Sequence, residues 1–169
     1  MFKKINSLFV TMFGIGKLPK IPGSYASLFT VIFLYLLFNI FSFRADIFLF
    51  FLVLVFFISL FSINLFVKDL TNKDPKEVVI DEFIGQSIPI ILFEIFHGDR
   101  NYSAYDALQI YLWFFLLFRV FDGLKPFPID YVDKKFKNSF GILFDDILAG
   151  VYVVLCLILF MVGKTYLLQ

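Results

Sequence analysis

Five carboxylates sit at three places in a chain that is otherwise strongly apolar: Asp81 with Glu82, Asp122, and the adjacent pair Asp145 and Asp146. A carboxylate at the centre of a bilayer costs roughly 2.5 to 3.5 kcal/mol even on the lower scales, so acids kept in apolar runs need a chemical reason. Several carboxylates brought together must be protonated, paired with bases or neutralised by a cation, because their repulsion at low dielectric is large. Oxygen ligands without His or Cys suit Mg²⁺ better than zinc or copper. Beside the acids stand Lys17, Arg119 and Lys125. Carboxylates, a divalent ion and bases are the parts needed to hold a phosphate ester, with the metal polarising an oxygen or activating water. Buried ion pairs that merely pack a bundle would explain one such pair more readily than acids and an arginine gathered at one depth.

The spacing supports convergence. Glu82 and Gln86 are four apart, as are Asp81 and Gly85, and Asp146 and Gly150; residues three or four apart share a helix face. Gly85, Ala149 and Gly150 would let helices approach closely. In "FRVFDGLKPFPI", Phe118 to Ile129, the residues Arg119, Asp122 and Lys125 recur every three positions, and Pro126 ends the helix. The stretch "GIGKLPKIPGS", Gly14 to Ser24, lacks the spacing of a nucleotide-binding P-loop, since Leu18 follows Lys17. Pro19 and Pro22 argue against a regular helix there, which leaves a shaped loop able to offer backbone N–H groups and Lys17 to an anion.

These residues must be positioned by membrane helices. The 169 residues are 60% hydrophobic, include 27 Phe and are only 17% charged, with a mean hydropathy of +0.88, well above a soluble domain. The expected fold is all-α, a polytopic helical membrane bundle forming one domain over residues 1–169. A span takes about 20 apolar residues, and five candidates follow: Ser27 to Phe41, Asp46 to Val67, Val78 to Phe96, Ala104 to Leu124 and Gly141 to Val162. The first is short and the third polar at its start, so a re-entrant path for either stays open. The amino-terminal residues, with Lys3 and Lys4, read as a retained interfacial segment because their apolar stretch is broken early.

With five crossings and a cytoplasmic N-terminus, one side receives eleven loop lysines, among them Lys73 and the cluster Lys134, Lys135 and Lys137, while the other receives Arg44, Arg100 and Lys164. Loop Lys and Arg collect on the cytoplasmic side. The same topology brings Asp81, Glu82, Arg119, Asp122, Asp145 and Asp146 to the cytoplasmic interface. Glu94, His97, Asp99 and Asp106 fall at the opposite ends, where caps and solvated loops explain them. The net charge of +1 gives no argument for nucleic acid, and Cys156 is a lone thiol inside an apolar run.

Together the stretches "GIGKLPKIPGS", "DPKEVVIDEFIGQ" from Asp74 to Gln86, "FRVFDGLKPFPI" and "GILFDDILAG" from Gly141 to Gly150 resemble the phosphatidylglycerophosphatase A family in content and order. The first departs from the usual family pattern by having Ser24 for Thr and Ala26 for Gly. The resemblance implies an all-helical, Mg²⁺-dependent lipid phosphatase of the bacterial inner membrane, acting at its cytoplasmic face on the phospholipid phosphatidylglycerophosphate. Carried onto this chain, it implies a functional set of Lys17, Asp81, Glu82, Gln86, Arg119, Asp122, Lys125, Asp145 and Asp146. In the leading assignment Glu82, Asp122, Asp145 and Asp146 hold Mg²⁺, Arg119 and Lys125 clamp the phosphate with help from Lys17 and Gln86, and Asp81 orients or deprotonates water. A cation transporter or channel component using the same acids is the alternative; it expects acids spread across the membrane thickness.

Overall fold

A proline that lacks an N–H is harmless in the first turn of a helix, and Pro22 uses that exemption. In a computed structural model of the chain, which describes residues 2–68, 70, 75–97 and 103–167, the first long helix starts at Pro22, five residues ahead of the expected span. The described residues form α1 (Phe2–Val10), a 3-10 turn (Met12–Lys17), α2 (Pro22–Tyr35) with a π-helical extension (Leu36–Ile40), α3 (Ala45–Val67), α4 (Ile80–His97), α5 (Ala104–Leu124), α6 (Ile129–Lys135) and α7 (Ser139–Leu167). The expected loop over Gly14 to Ser24 is therefore corrected at its end: Gly23 and Ser24 belong to the first turn of α2. Its beginning is irregular, with left-handed backbone at Phe13 and Gly14. Lys73, Asp74, Asp99 and Arg100 lie outside the described residues.

Four helices are long and apolar enough to cross a membrane: Pro22–Ile40, Ala45–Val67, Tyr105–Leu124 and Ser139–Lys164. The third expected segment, Val78 to Phe96, forms α4, 18 residues carrying Asp81, Glu82 and Glu94. It is the centre of the bundle and packs against α2, α3, α5 and α7. Its apolar residues Ile84, Ile90 and Ile91 are fully or almost fully buried. Large apolar side chains cover the outside instead: Phe50, Phe57 and Phe61 of α3 are each more than 60% exposed. A surface of that kind suits hydrocarbon and not water.

Small residues set the closest crossing. A Cβ on Gly85 would lie 2.5 Å from the Asp146 carbonyl oxygen and 2.9 Å from the Phe118 ring, and one on Gly150 would overlap the Gly85 carbonyl. The backbones of α4 and α7 thus meet within about one helical turn of Asp81 and Asp146. Two further signals close the helices near this end. Lys125 adopts a left-handed conformation that stops α5, and Pro126 follows it. Asn6 donates to the Ser62 carbonyl at 3.0 Å, fixing α1 on α3.

At the far end, Ser103 and Asp106 form a reciprocal cap on α5, and Glu94 accepts a 2.6 Å hydrogen bond from the Tyr111 hydroxyl.

Candidate active site

The first turns of α2 and α4, the second turn of α7 and the C-terminal end of α5 surround a cavity of about 280 Å³. Of the residues singled out from sequence, Asp81, Glu82, Arg119, Asp122, Lys125, Asp145 and Asp146 line it. Lys17 is exposed and outside the lining; the loop turns between them and presents Lys20 instead. Gln86 is fully buried one turn below Glu82, and neither atom of its amide has a hydrogen-bond partner.

The acids divide into two groups. Asp81, Glu82 and Asp146 each offer a carboxylate oxygen, all within 4.8 Å of one another. Among the described residues no base lies within ion-pair distance of these three, and Asp81 Oδ1 and Glu82 Oε2 are buried without any partner. Uncompensated carboxylates at this separation repel strongly, and orphaned acceptors are costly. A hard divalent cation answers both problems, so the donor set fits Mg²⁺. The other two acids are committed to bases. Asp122 Oδ2 accepts from Arg119 Nη2 at 3.0 Å, and Asp145 Oδ2 accepts from Lys125 Nζ at 2.8 Å. The acids of the expected ligand set, Glu82, Asp122, Asp145 and Asp146, line one cavity together with Asp81; Asp81, Glu82 and Asp146 form the tight cluster, while Asp122 and Asp145 each also pair with a base.

Each base has a second support that the sequence did not reveal. Arg119 Nη1 donates to the Ser27 hydroxyl at 3.2 Å, and that hydroxyl donates to the Gly23 carbonyl at 3.0 Å. Gly23 leaves room for the Glu82 carboxylate, which would have to move if a Cβ were added there. Lys125 also reaches Asp133 of α6 at 3.4 Å, and Asp133 pairs with Lys137 at 3.2 Å. Burial alone would lower the Lys125 value, but the hydrogen bond and charge of Asp145, with Asp133 and Asp122, raise it above the usual lysine range. Lys125 is a fixed positive charge at neutral pH. Burial would raise Asp133, yet Lys125 and Lys137 hold it below the usual carboxylate value.

A group with a depressed folded value stabilises above its unfolded pKa, and that contribution fades as pH falls through the folded value. Asp133→Asn should therefore lower the melting temperature in detergent at pH about 6 and have a smaller effect at pH about 3. Thermal unfolding followed at the two pH values checks this. An equal shift at both would remove the charge from the explanation.

The chain matches the family described as "Phosphatidylglycerophosphatase A" over residues 8–161. It is 35% identical to phosphatidylglycerophosphatase A of Haemophilus influenzae over 145 residues, covering 85% of this chain and 80% of that one. Its identity to phosphatidylglycerophosphatase A of Escherichia coli is 30% over 140 residues, covering 82% and 73%. A Bacteroides thetaiotaomicron protein named "Putative phosphatidylinositol-3-phosphatase" is 32% identical over 143 residues, 84% of each chain. No solved structure gives a significant match. The ordered motifs, the helical membrane fold and relatives that align over most of their length make this chain a member of the phosphatidylglycerophosphatase A family.

Proposed function

We propose that the protein is a Mg²⁺-dependent phosphatase that removes the terminal phosphate of phosphatidylglycerophosphate, with its site at the cytoplasmic face of a bacterial inner membrane. The observation that carries this reading is the pairing, in one cavity, of an uncompensated carboxylate cluster with two bases held by their own acids. Asp81, Glu82 and Asp146 would hold the ion, which supplies neutralisation and polarisation of the phosphate oxygens. Arg119 presents a planar donor fork to the phosphate, and Lys125 adds a point charge. Ser27 and Asp122 fix the Arg119 plane, so less ordering remains to be done when substrate arrives. Hydrolysis joins a water oxygen to phosphorus and breaks the bond from phosphorus to the glycerol oxygen. The attacking water would give a proton to a carboxylate, for which Asp81 is the candidate, and the departing glycerol oxygen takes a proton, so that phosphatidylglycerol and inorganic phosphate are released. The lysine-rich loops that share this end of the bundle support the cytoplasmic orientation.

The test is phosphate release from phosphatidylglycerophosphate by purified protein in detergent, with Mg²⁺ and with EDTA. Release should fall to background in EDTA and return when Mg²⁺ is added. Phosphatidylinositol 3-phosphate, suggested by the name of the Bacteroides relative, is the comparison substrate and should turn over more slowly. Release that is insensitive to EDTA would remove the metal from this reading, and preference for the inositol lipid would replace the substrate.

A further inference from the structure

Lys20 and Lys76 stand at the mouth of the same cavity. Both are exposed, and among the described residues neither has a carboxylate partner, whereas Arg119 and Lys125 inside are each engaged by acids. Their placement is built into the backbone. The Ile21 N–H donates to the Pro19 carbonyl at 3.2 Å, closing a γ-turn in which Lys20 has φ of 75°. A side-chain-bearing residue in such a conformation is strained, and strain of this kind persists where the surroundings impose it. Lys76 comes from a different part of the chain, in the turn closed by Val78 N–H to the Pro75 carbonyl at 3.0 Å.

The two segments are locked together. The Val79 N–H donates to the Val10 carbonyl at 3.0 Å, and Gly16 packs so tightly on the Glu77 carbonyl that a Cβ would overlap it.

We propose that Lys20 and Lys76 form a second anion subsite, which binds the phosphodiester of the lipid while its terminal phosphomonoester occupies the inner site. This deepens the phosphatase reading and rests on it. Phosphatidylglycerophosphate carries two phosphates joined by a glycerol, and the outer one is a diester with a single negative charge. The carboxylates within the cavity repel a second anion there, so the diester is stabilised only where cations are free to meet it. Two ammonium groups without acidic partners at the mouth provide that charge. The rim then favours lipids with two phosphates over those with a monoester alone.

Two probes separate the subsites. Short-chain phosphatidylglycerol keeps the diester and lacks the monoester, and inorganic phosphate has no diester to offer the rim. Calorimetric titration of each into full-length protein in neutral detergent with Mg²⁺ would be run for wild type, Lys20→Gln with Lys76→Gln, and Lys20→Arg with Lys76→Arg. The double Gln variant should weaken phosphatidylglycerol binding about tenfold, the scale of a lost charge-assisted contact, and shift phosphate binding less than about twofold. It should raise KM for phosphatidylglycerophosphate far more than it changes kcat, and the Arg pair should restore both. Equal losses for the two probes, or no loss for phosphatidylglycerol, would overturn the proposal. So would a loss seen only in vesicles rich in anionic lipid, which would make the lysines a membrane-docking pair. Lysine-dependent binding of phosphatidylglycerol by a wild-type protein that releases no phosphate from phosphatidylglycerophosphate would overturn the phosphatase reading alone.

Discussion

Asp146→Asn is expected to lower phosphate release by about 10²- to 10³-fold, the range for one preorganised electrostatic group, and at the same time to raise the melting temperature of the metal-free protein. Asp146 is only 4% exposed and shares a 4.8 Å cluster with Asp81 and Glu82, with no basic partner among the described residues. Asn keeps the size of the side chain and removes one ionisable carboxyl from a buried cluster of three, so the metal-free cluster no longer bears the cost of protonating or charging that group. With Mg²⁺ the sign should reverse. An ion that binds only the folded chain stabilises it by mass action, and a variant with weaker binding gains less. Thermal unfolding in detergent, with EDTA and with Mg²⁺, therefore reads the cluster independently of turnover. Sites that store repulsion in exchange for function behave in this way. A melting temperature that drops equally in both conditions would assign Asp146 to packing, and so would wild-type turnover by a folded variant.

How much of this could be read from sequence depended on whether a helix carried the information. The i, i+4 relations of Asp81 with Gly85 and Asp146 with Gly150 give both a chemical face and a crossing point, and α4 and α7 do meet there. The division of labour among the acids was less accessible. Neighbouring helical residues point about 100° apart, but helix spacing alone does not tell which of Asp145 and Asp146 meets Asp81, and only the α4–α7 crossing decides it. Asp145 turns to Lys125 instead. Between Lys17 and Lys20 the chain has no periodicity at all; the γ-turn that presents Lys20 is a property of its backbone path. Asp133 offered no signal beyond a charge among lysines, because α6 is short and its approach to Lys125 depends on the turn after Pro126. The short first span became legible only through Pro22, which opens a helix where an interior proline would have broken one.

Gly85→Ala should impair turnover strongly although the residue has no functional group. The added methyl would sit 2.5 Å from the Asp146 carbonyl oxygen, 2.8 Å from its carbon and 2.9 Å from Phe118 Cε2. Two of these atoms are helix backbone, which cannot rotate away, so α4 and α7 must separate or tilt. Overpacking of this kind costs about 1–3 kcal/mol, but the effect on chemistry should be larger than the effect on stability. Asp81 and Glu82 ride on one helix and Asp146 on the other, so any separation opens the carboxylate cluster directly. A displacement of about 1 Å at a reacting group can cost about 10²-fold in rate. The expected result is a chain that still folds in detergent, melts a few degrees lower and loses about 10²-fold in kcat, with weaker Mg²⁺ activation. Gly163→Ala, in α7, is the control: its methyl meets nothing within 4 Å, and it should leave turnover and melting close to wild type. If Gly85→Ala retained full turnover, the close approach of α4 and α7 would not be what assembles the site, and the carboxylates would have to be held by their own side-chain contacts.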